Sequence, residues 1–411
     1  MALFNARELV TCAGENSDMD EGPLGIIEDG ALLSEGGRVT WVGTTKDFRR
    51  KLVGKPKTLV DAGQGLVTPG FVDPHTHLVY AGSREDELAR KAKGESYTSI
   101  LKSGGGILRT IRDTRRAAAS KIVKESRARL YQLLRNGVTT AEVKTGYGQN
   151  VADEIKLISV IQHLARRGSV ELVPTFLGLH ATPDEFKKPG EYAKFVVNRV
   201  LPRIAELKGR PVFSDCFCEE GVFSAEQCSS YLRASEKLGF MLKVHADEFS
   251  DSGGASLAAE MKCVSADHLG RSSAEGLSRM ARKGVTAVLL PGTSLYSGIP
   301  YADARKVMDA GCTVALGTDL SPNSWVESPQ LVMGLACAGM KMTASEALRG
   351  FTSNAAAAIG RTDLGRLAVG CIADFVIHSL PNHRFLPYRL GGDYVSRVFK
   401  EGRQVYSARE G

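Results

Sequence analysis

The stretch VTPGFVDPHTHLVYAGSRED, residues 67–86, sets two histidines one residue apart behind a short apolar run. GFVDPHTHL (70–78) reads as a buried strand. Residues i and i+2 of a strand face the same way, so His75 and His77 aim both imidazoles at one spot. A lone histidine in an apolar run is more often a core residue than a ligand. Two on one face at a strand end, with an aspartate closing another run, favour a metal, and neutral imidazole with carboxylate suits zinc or ferrous iron.

Working outward, seven further runs share the Val, Leu, Thr and Phe content of strands buried on both faces. They are VTTAEVKTG (138–146), SVELVPTFLGLH (169–180), PVFSDCFCEEG (211–221), FMLKVHADEF (240–249), CVSADHL (263–269), VTAVLLPG (285–292) and CTVALGTDL (312–320). Between them lie segments such as ASKIVKESRARLYQLLRNG and SAEQCSSYLRASEKLG, with apolar residues at helical spacing and a glycine at the end. Eight strand-then-helix units predict an α/β fold, a (β/α)8 TIM-like barrel over residues 68–365. His75, His77, His180, His245, His268 and Asp319 all fall late in their runs, at the face where such barrels build active sites. Residues 1–67 and 366–411 hold short β-like pieces with Gly-rich turns. Neither end suffices for a domain alone, and together they predict a small composite β-sandwich beside the barrel.

The 411 residues are 43% hydrophobic and 24% charged, ordinary for a globular chain. The net charge of +7 is dispersed. Its densest run, Arg109, Arg112, Arg115 and Arg116, reads as a solvated helix face, and no aromatic interleaving suggests nucleic acid. The eight cysteines form no CxxC pair and read as buried free thiols of a reducing, cytoplasmic compartment. The first residues lack the charged and apolar regions of a signal peptide, and no apolar run is long enough for a membrane helix.

His75 and His77 need partners from other strands. His245 ends the fifth run and Asp319 the eighth, and barrel strands converge at the mouth. Three histidines and an aspartate leave a position for water, as a catalytic site requires, whereas closed structural sites favour cysteine. Water on such a metal can lose a proton near neutral pH and become a nucleophile. Around these residues, Glu85, Asp86 and Glu87 read as solvated surface. Ser103–Gly106 reads equally as a flexible helix start or as N–H groups offered to an anion. The long segment 79–137 is a candidate lid.

PGFVDPHTH, with histidines ending the fifth and sixth runs and an aspartate ending the eighth, resembles the amidohydrolase superfamily. HTHLVYAGSREDE, SGGGILRT, EVKTGYG, FLGLHATP, FCEEGVFS, VHADEFSDSGG and ADHLG resemble, more narrowly, its imidazolonepropionase family over most of the chain. The resemblance implies one Zn²⁺ or Fe held by His75, His77, His245 and Asp319. It implies substrate contacts from Arg84, Tyr147, His180 and Glu248, and from Ser321, Asn323 and Ser324 in the loop after Asp319. Glu248, His268 and Asp319 are the implied catalytic groups. The implied reaction opens the ring amide of a small molecule, 4-imidazolone-5-propanoate, in a homodimeric enzyme of histidine degradation. TDLSPNSW departs from the family, which carries asparagine where Ser321 stands and so has an amide's paired donor and acceptor there. A related heterocycle deaminase is the alternative, and a catalytically silent scaffold a distant third. Some amidohydrolases bridge two metals with a carboxylated lysine on the fourth strand. Here Lys144 ends the second, so a second metal is not expected, although Glu219 or Glu220 could take the lysine's place.

Overall fold

The computed structural model describes residues 1–14, 22–51, 56–95, 99–100, 103–166 and 168–408. The N-terminal segment supplies β1 (Ala2–Val10), β2 (Ile26–Glu35), β3 (Arg38–Thr44), β4 (Leu59–Asp61) and β5 (Leu66–Pro69). Eight strands follow, one inside each apolar run: β6 (Phe71–Asp73), β7 (Val138–Lys144), β8 (Glu171–Leu179), β9 (Phe213–Cys218), β10 (Met241–Ala246), β11 (Ser265–His268), β12 (Thr286–Leu289) and β13 (Val314–Leu316). The C-terminal segment adds β14 (Phe375–His378), β15 (Val395–Lys400) and β16 (Arg403–Ser407).

Strands β6 to β13 pair in sequence order, all parallel, as a barrel does. The last seam, between β6 and β13, is made just beyond both strands. Pro74 has no N–H to donate, and β6 stops before it. Thr76 then bridges to Leu320, the His77 N–H donates to the Leu320 carbonyl at 2.9 Å, and the Asp319 N–H to the His75 carbonyl at 3.1 Å. Beneath them the buried Asp73 carboxylate accepts from Thr318 N (3.2 Å) and Oγ1 (2.6 Å). The two histidines therefore sit on an extended segment after the first strand rather than within it.

Polar caps start the helices that return the chain to each next strand. Asn150 caps Val151–Ala165 through the Asp153 N–H, and Ser224 with Gln227 forms a capping box on Ala225–Lys237. The alanine-rich helix Ser353–Ala358 packs against Val72, Val288 and Ala315 from the barrel strands. Its last carbonyl, Ala358, accepts from the buried Lys243 ammonium at 3.2 Å.

Both chain ends join one eight-stranded sheet in the order β16-β15-β14-β5-β1-β2-β3, with β4 on β1. Strand β1 pairs in parallel with β4 through residues 2–4 and with β5 through residues 8–9. Leu3, Leu9, Leu32, Val67, Phe375 and Phe399 fill its core, the two phenylalanines stacked at 4.3 Å. Backbone bonds of 2.9 Å from Val39 to Cys371 and from Gly370 to Val39 tie edge strand β3 back to the segment leading into β14. The expected unit is thus a single sheet turned back on itself.

The basic run departs from expectation. It lies on helix Gly106–Arg116, and of its four arginines only Arg116 is fully exposed. Arg109 pairs with Asp86 at 2.6 Å, Arg112 donates to the Gly104 carbonyl, and Arg115 donates to the Gly148 carbonyl at 2.7 Å and pairs with Glu185. The helix lies across the loops at the barrel mouth, and its arginines fasten it there. All eight cysteines are free thiols, six of them buried, and among the described residues no helix is long and apolar enough to cross a membrane.

Candidate metal centre and active site

The seam that closes the barrel also assembles the ligands. His75 Nε2 lies 3.3 Å from His77 Nε2, and His77 Nε2 lies 3.4 Å from His245 Nε2. Asp319 Oδ1 is 3.5 Å from Nε2 of both His75 and His77. His245 comes from β10, across the mouth, and Asp319 from the turn after β13. His75, His77 and His245 form the mutually close trio of donors, and Asp319 stands against two of them; donors about 3.4 Å apart suit an ion about 2.1 Å from each, the length of a zinc–nitrogen bond. Asp319 Oδ1 is buried and accepts no hydrogen bond, whereas Oδ2 accepts one from Thr293 Oγ1. Burial holds all three imidazoles well below the usual histidine range, and neighbouring cations and histidines add to the effect. They are neutral, the form that donates to a metal. The donor set fits a single zinc or iron ion.

Two backbone distortions point side chains inward. His268, the last residue of β11, has φ 77°, and Asp319 has φ 49°. Non-glycine residues in this region carry strain that the surroundings must hold, a recurrent feature of active sites. The His268 ring lies 5.5 Å from that of His75 and 5.4 Å from that of His245. Its Nε2 is 3.7 Å from Glu248 Oε2. Burial lowers His268 to about 4, so it too is neutral. Burial, with Asp319 and Glu219 adding, pushes Glu248 well above the ordinary carboxyl value, which favours its protonated form. Glu248 and His268 share a cavity of about 10 Å³ with Leu290, Pro291, Thr293 and Ser294. That is room for about one water.

On the opposite side the His180 ring stacks on His77 with centroids 5.0 Å apart and planes 19° apart, and Tyr147 lies 5.2 Å from His180. Arg84 is buried. Its Nε and Nη2 reach Glu87 Oε2 at 3.0 and 2.9 Å, and Nη2 also donates to Asn323 Oδ1 at 3.2 Å. The same oxygen accepts from Lys91 Nζ at 3.1 Å. Half-buried Lys91 has no carboxylate partner among the described residues, and desolvation, then Arg84, lowers its pKa. Ser321 Oγ accepts from Ser324 N at 3.2 Å and closes its own turn, while the buried Ser324 Oγ has no partner. The structure thus gathers every expected residue at one mouth, with Arg84 and Asn323 on the rim.

Glu87 corrects the sequence reading. Only Glu85 and Asp86 of that acidic run are exposed. Glu87 is 2% exposed, pairs with Arg84 through Oε2, and accepts the Gly106 N–H at 2.7 Å through Oε1. The Ser103–Gly106 turn does offer an N–H to an anion, and the anion is this internal carboxylate. Glu219 lies outside the ligand cluster and accepts from Ser252 and from Phe249 N. Sequence reasoning missed a layer of charge under the histidines, formed by Glu142, Asp215, Lys243 and Asp267. The signal was there in polar and charged residues at alternate positions of buried runs: Glu142 and Lys144, Lys243 and His245, Ser265 and Asp267.

A barrel with three neutral imidazoles and a carboxylate gathered at its C-terminal mouth defines a metal-dependent hydrolase. Residues 66–405 match the amidohydrolase family. The imidazolonepropionase of Geobacillus sp. (strain WCH70) is 45% identical over 414 residues, 98% of this chain and 97% of that protein. Solved structures of the same fold include the Escherichia coli guanine deaminase (TM-score 0.74, 21% identity, 99% of each chain). They also include the atrazine chlorohydrolase of Arthrobacter aurescens TC1 complexed with zinc (TM-score 0.71, 18% identity, 99% of this chain and 95% of the other). The chain belongs to the amidohydrolase family and, within it, to the imidazolonepropionases.

Proposed function

We propose that this chain hydrolyses the ring amide C–N bond of 4-imidazolone-5-propanoate, giving N-formimino-L-glutamate. One Zn²⁺ or Fe would be held by His75, His77, His245 and Asp319. The observation that carries the reading is the meeting of donors from three separate parts of the chain: Nε2 of His75 and His245 at 3.3 and 3.4 Å from His77 Nε2, and Asp319 Oδ1 at 3.5 Å from both His75 and His77. When bound, such an ion polarises a carbonyl oxygen and lowers the pKa of water.

The remaining steps belong to side chains. The Asp319 carboxylate and neutral His268 Nε2 are the acceptors available to a proton leaving the attacking water. Protonated Glu248 donates to the ring nitrogen as the C–N bond breaks, and its buried, raised carboxyl is suited to that task. His180 and Tyr147, stacked beside His77, wall the flat ring. The substrate's propionate meets Arg84, Lys91 and Asn323, with Ser321 and Ser324 on the turn beneath. Glu87 already neutralises Arg84, so Lys91 gives the subsite its net positive charge. The same reading carries a cytoplasmic location and a homodimer, the latter tested by light scattering on the purified chain.

The decisive assay follows loss of imidazolonepropanoate absorbance with metal-replete protein, before and after chelation. Activity abolished by chelator and restored by zinc or iron is the expected result. Metal-replete protein that leaves the substrate intact refutes the proposal, and ammonia release from aminated heterocycles would point to a deaminase instead.

A further inference from the structure

Lys144 is fully buried at the end of β7, beneath the ligand histidines. Its Nζ is 2.8 Å from Asp215 Oδ2, 2.9 Å from Glu142 Oε1 and 3.5 Å from Asp267 Oδ2. Each carboxylate leads to a ligand. Asp267 Oδ2 is 2.6 Å from Nδ1 of His75. Asp215 Oδ2 is 3.1 Å from Nδ1 of His245, off the line of a straight hydrogen bond. Glu142 Oε2 accepts at 3.4 Å from the N–H of Thr76, the residue between His75 and His77. One ammonium thus underlies all three histidines.

We infer that Lys144 is a positioning residue for the metal: its ammonium, hydrogen-bonded to Asp215 and 3.5 Å from Asp267, holds both carboxylates against Nδ1 of His245 and His75. This fixes the tautomer that presents Nε2 at the mouth. Carboxylates behind ligand histidines set ring orientation and basicity, and here one shared cation governs two of them. Glu142 and Lys144 stand at i and i+2 of β7, both facing the barrel axis. Lys243 Nζ, 3.9 Å from Asp267, is committed to the carbonyls of Pro74 and Ala358 at 3.2 Å each. Three acids and two lysines thus pack together directly beneath the ligand histidines. Burial disfavours a charged Lys144, but the three carboxylates outweigh it and raise its pKa.

The inference rests on the reading of His75, His77, His245 and Asp319 as ligands, and the test separates the two. Zinc affinity of the full chain is measured by competition with a chromophoric chelator, for wild type and for Lys144→Met. The expected result is one ion per wild-type chain and a Kd about 10–100-fold weaker in the variant. A purely structural role would lower the unfolding midpoint and leave the Kd of the folded fraction unchanged. The second measurement leaves Lys144 in place, in case its replacement prevents folding. The far-downfield proton resonances of the two histidine Nδ1–H groups are recorded in zinc-loaded wild type, Asp215→Asn and Asp267→Asn. With a shared lysine, each substitution shifts the other histidine's resonance as well as its own. Resonances that respond only to their own carboxylate, or an unchanged Kd in folded Lys144→Met, overturn the inference. A wild-type chain without stoichiometric metal overturns the ligand reading and this inference with it.

Discussion

Replacing Lys91 by methionine removes one charge from the rim and leaves the metal centre untouched. Asn323 Oδ1 sits 3.1 Å from Lys91 Nζ and 3.2 Å from Arg84 Nη2, so a carboxylate oxygen in its place touches both cations. At a charge separation of about 5 Å and an effective dielectric near 20, Lys91 contributes roughly 3 kcal/mol of attraction. Half-exposure screens the pair, and ammonium hydration is lost on contact, which leaves about 1.5 kcal/mol, or about a tenfold change in affinity. Because the carboxylate is remote from the reacting bond, the effect falls on KM, with kcat within about twofold. Raising ionic strength should weaken the wild type toward the variant and change the variant little. Lys91 is lowered below the ordinary lysine value, so the wild-type KM rises as this charge is lost at alkaline pH, while that of the variant stays flat. Steady-state kinetics across pH and salt give all three readings. An unchanged KM in Lys91→Met, or a fall in kcat at constant KM, refutes the assignment.

Three further outcomes are expected. His245→Ala should lose both bound metal and activity, and a stoichiometric ion retained by the folded variant would remove His245 from the ligand set. Glu248→Gln should keep its metal and lose about 10²–10⁴-fold in kcat; a loss under tenfold would rule out the proton-donor role. His378 in β14 is fully buried, bonded to Thr68 Oγ1 at 3.0 Å, and lowered by burial to about 3. The unfolded chain takes up this proton below about 6.5 and the folded one does not. His378 thus costs nothing above that pH and about 1.4 kcal/mol at pH 5.5, rising as pH falls toward 3. Denaturant midpoints of metal-free His378→Gln should show a shallower acid limb than wild type, and parallel limbs would refute the shift.

The barrel was legible because strands buried on both faces leave continuous apolar runs, and the histidines stood out because five of the eight runs ended in chemistry-bearing residues at one face. What stayed hidden depended on distant partners. Glu87 looks like its neighbours Glu85 and Asp86, and only the fold shows that Arg84 and the Gly106 N–H enclose it. Lys144 was weighed as a metal bridge because its strand was visible, but Asp215, 71 residues on, could not be matched to it without the register of β7, β8 and β9. The basic run looked like a solvated face because helical spacing shows which residues align without showing what lies over them. Thr293 gave no signal at all. It follows a Pro-Gly pair that reads as a turn, and its bond to Asp319 Oδ2 exists only once β12 and β13 lie side by side.

The seam between Asp73–His77 and Thr318–Leu320 sets a clock on biosynthesis. Synthesis runs from the N-terminus, and the hydrogen bonds that seal the barrel need Asp319 and Leu320 to meet residues made almost 250 positions earlier. A nascent chain that has emerged only as far as β12 already holds three of the four donors, His75, His77 and His245, without the carboxylate that completes them. The ribosome therefore exposes an open half-cage for as long as the last strand takes to appear. The Asp319 carboxylate is thus the last donor to join the set, and it arrives with the hydrogen bonds that seal the barrel.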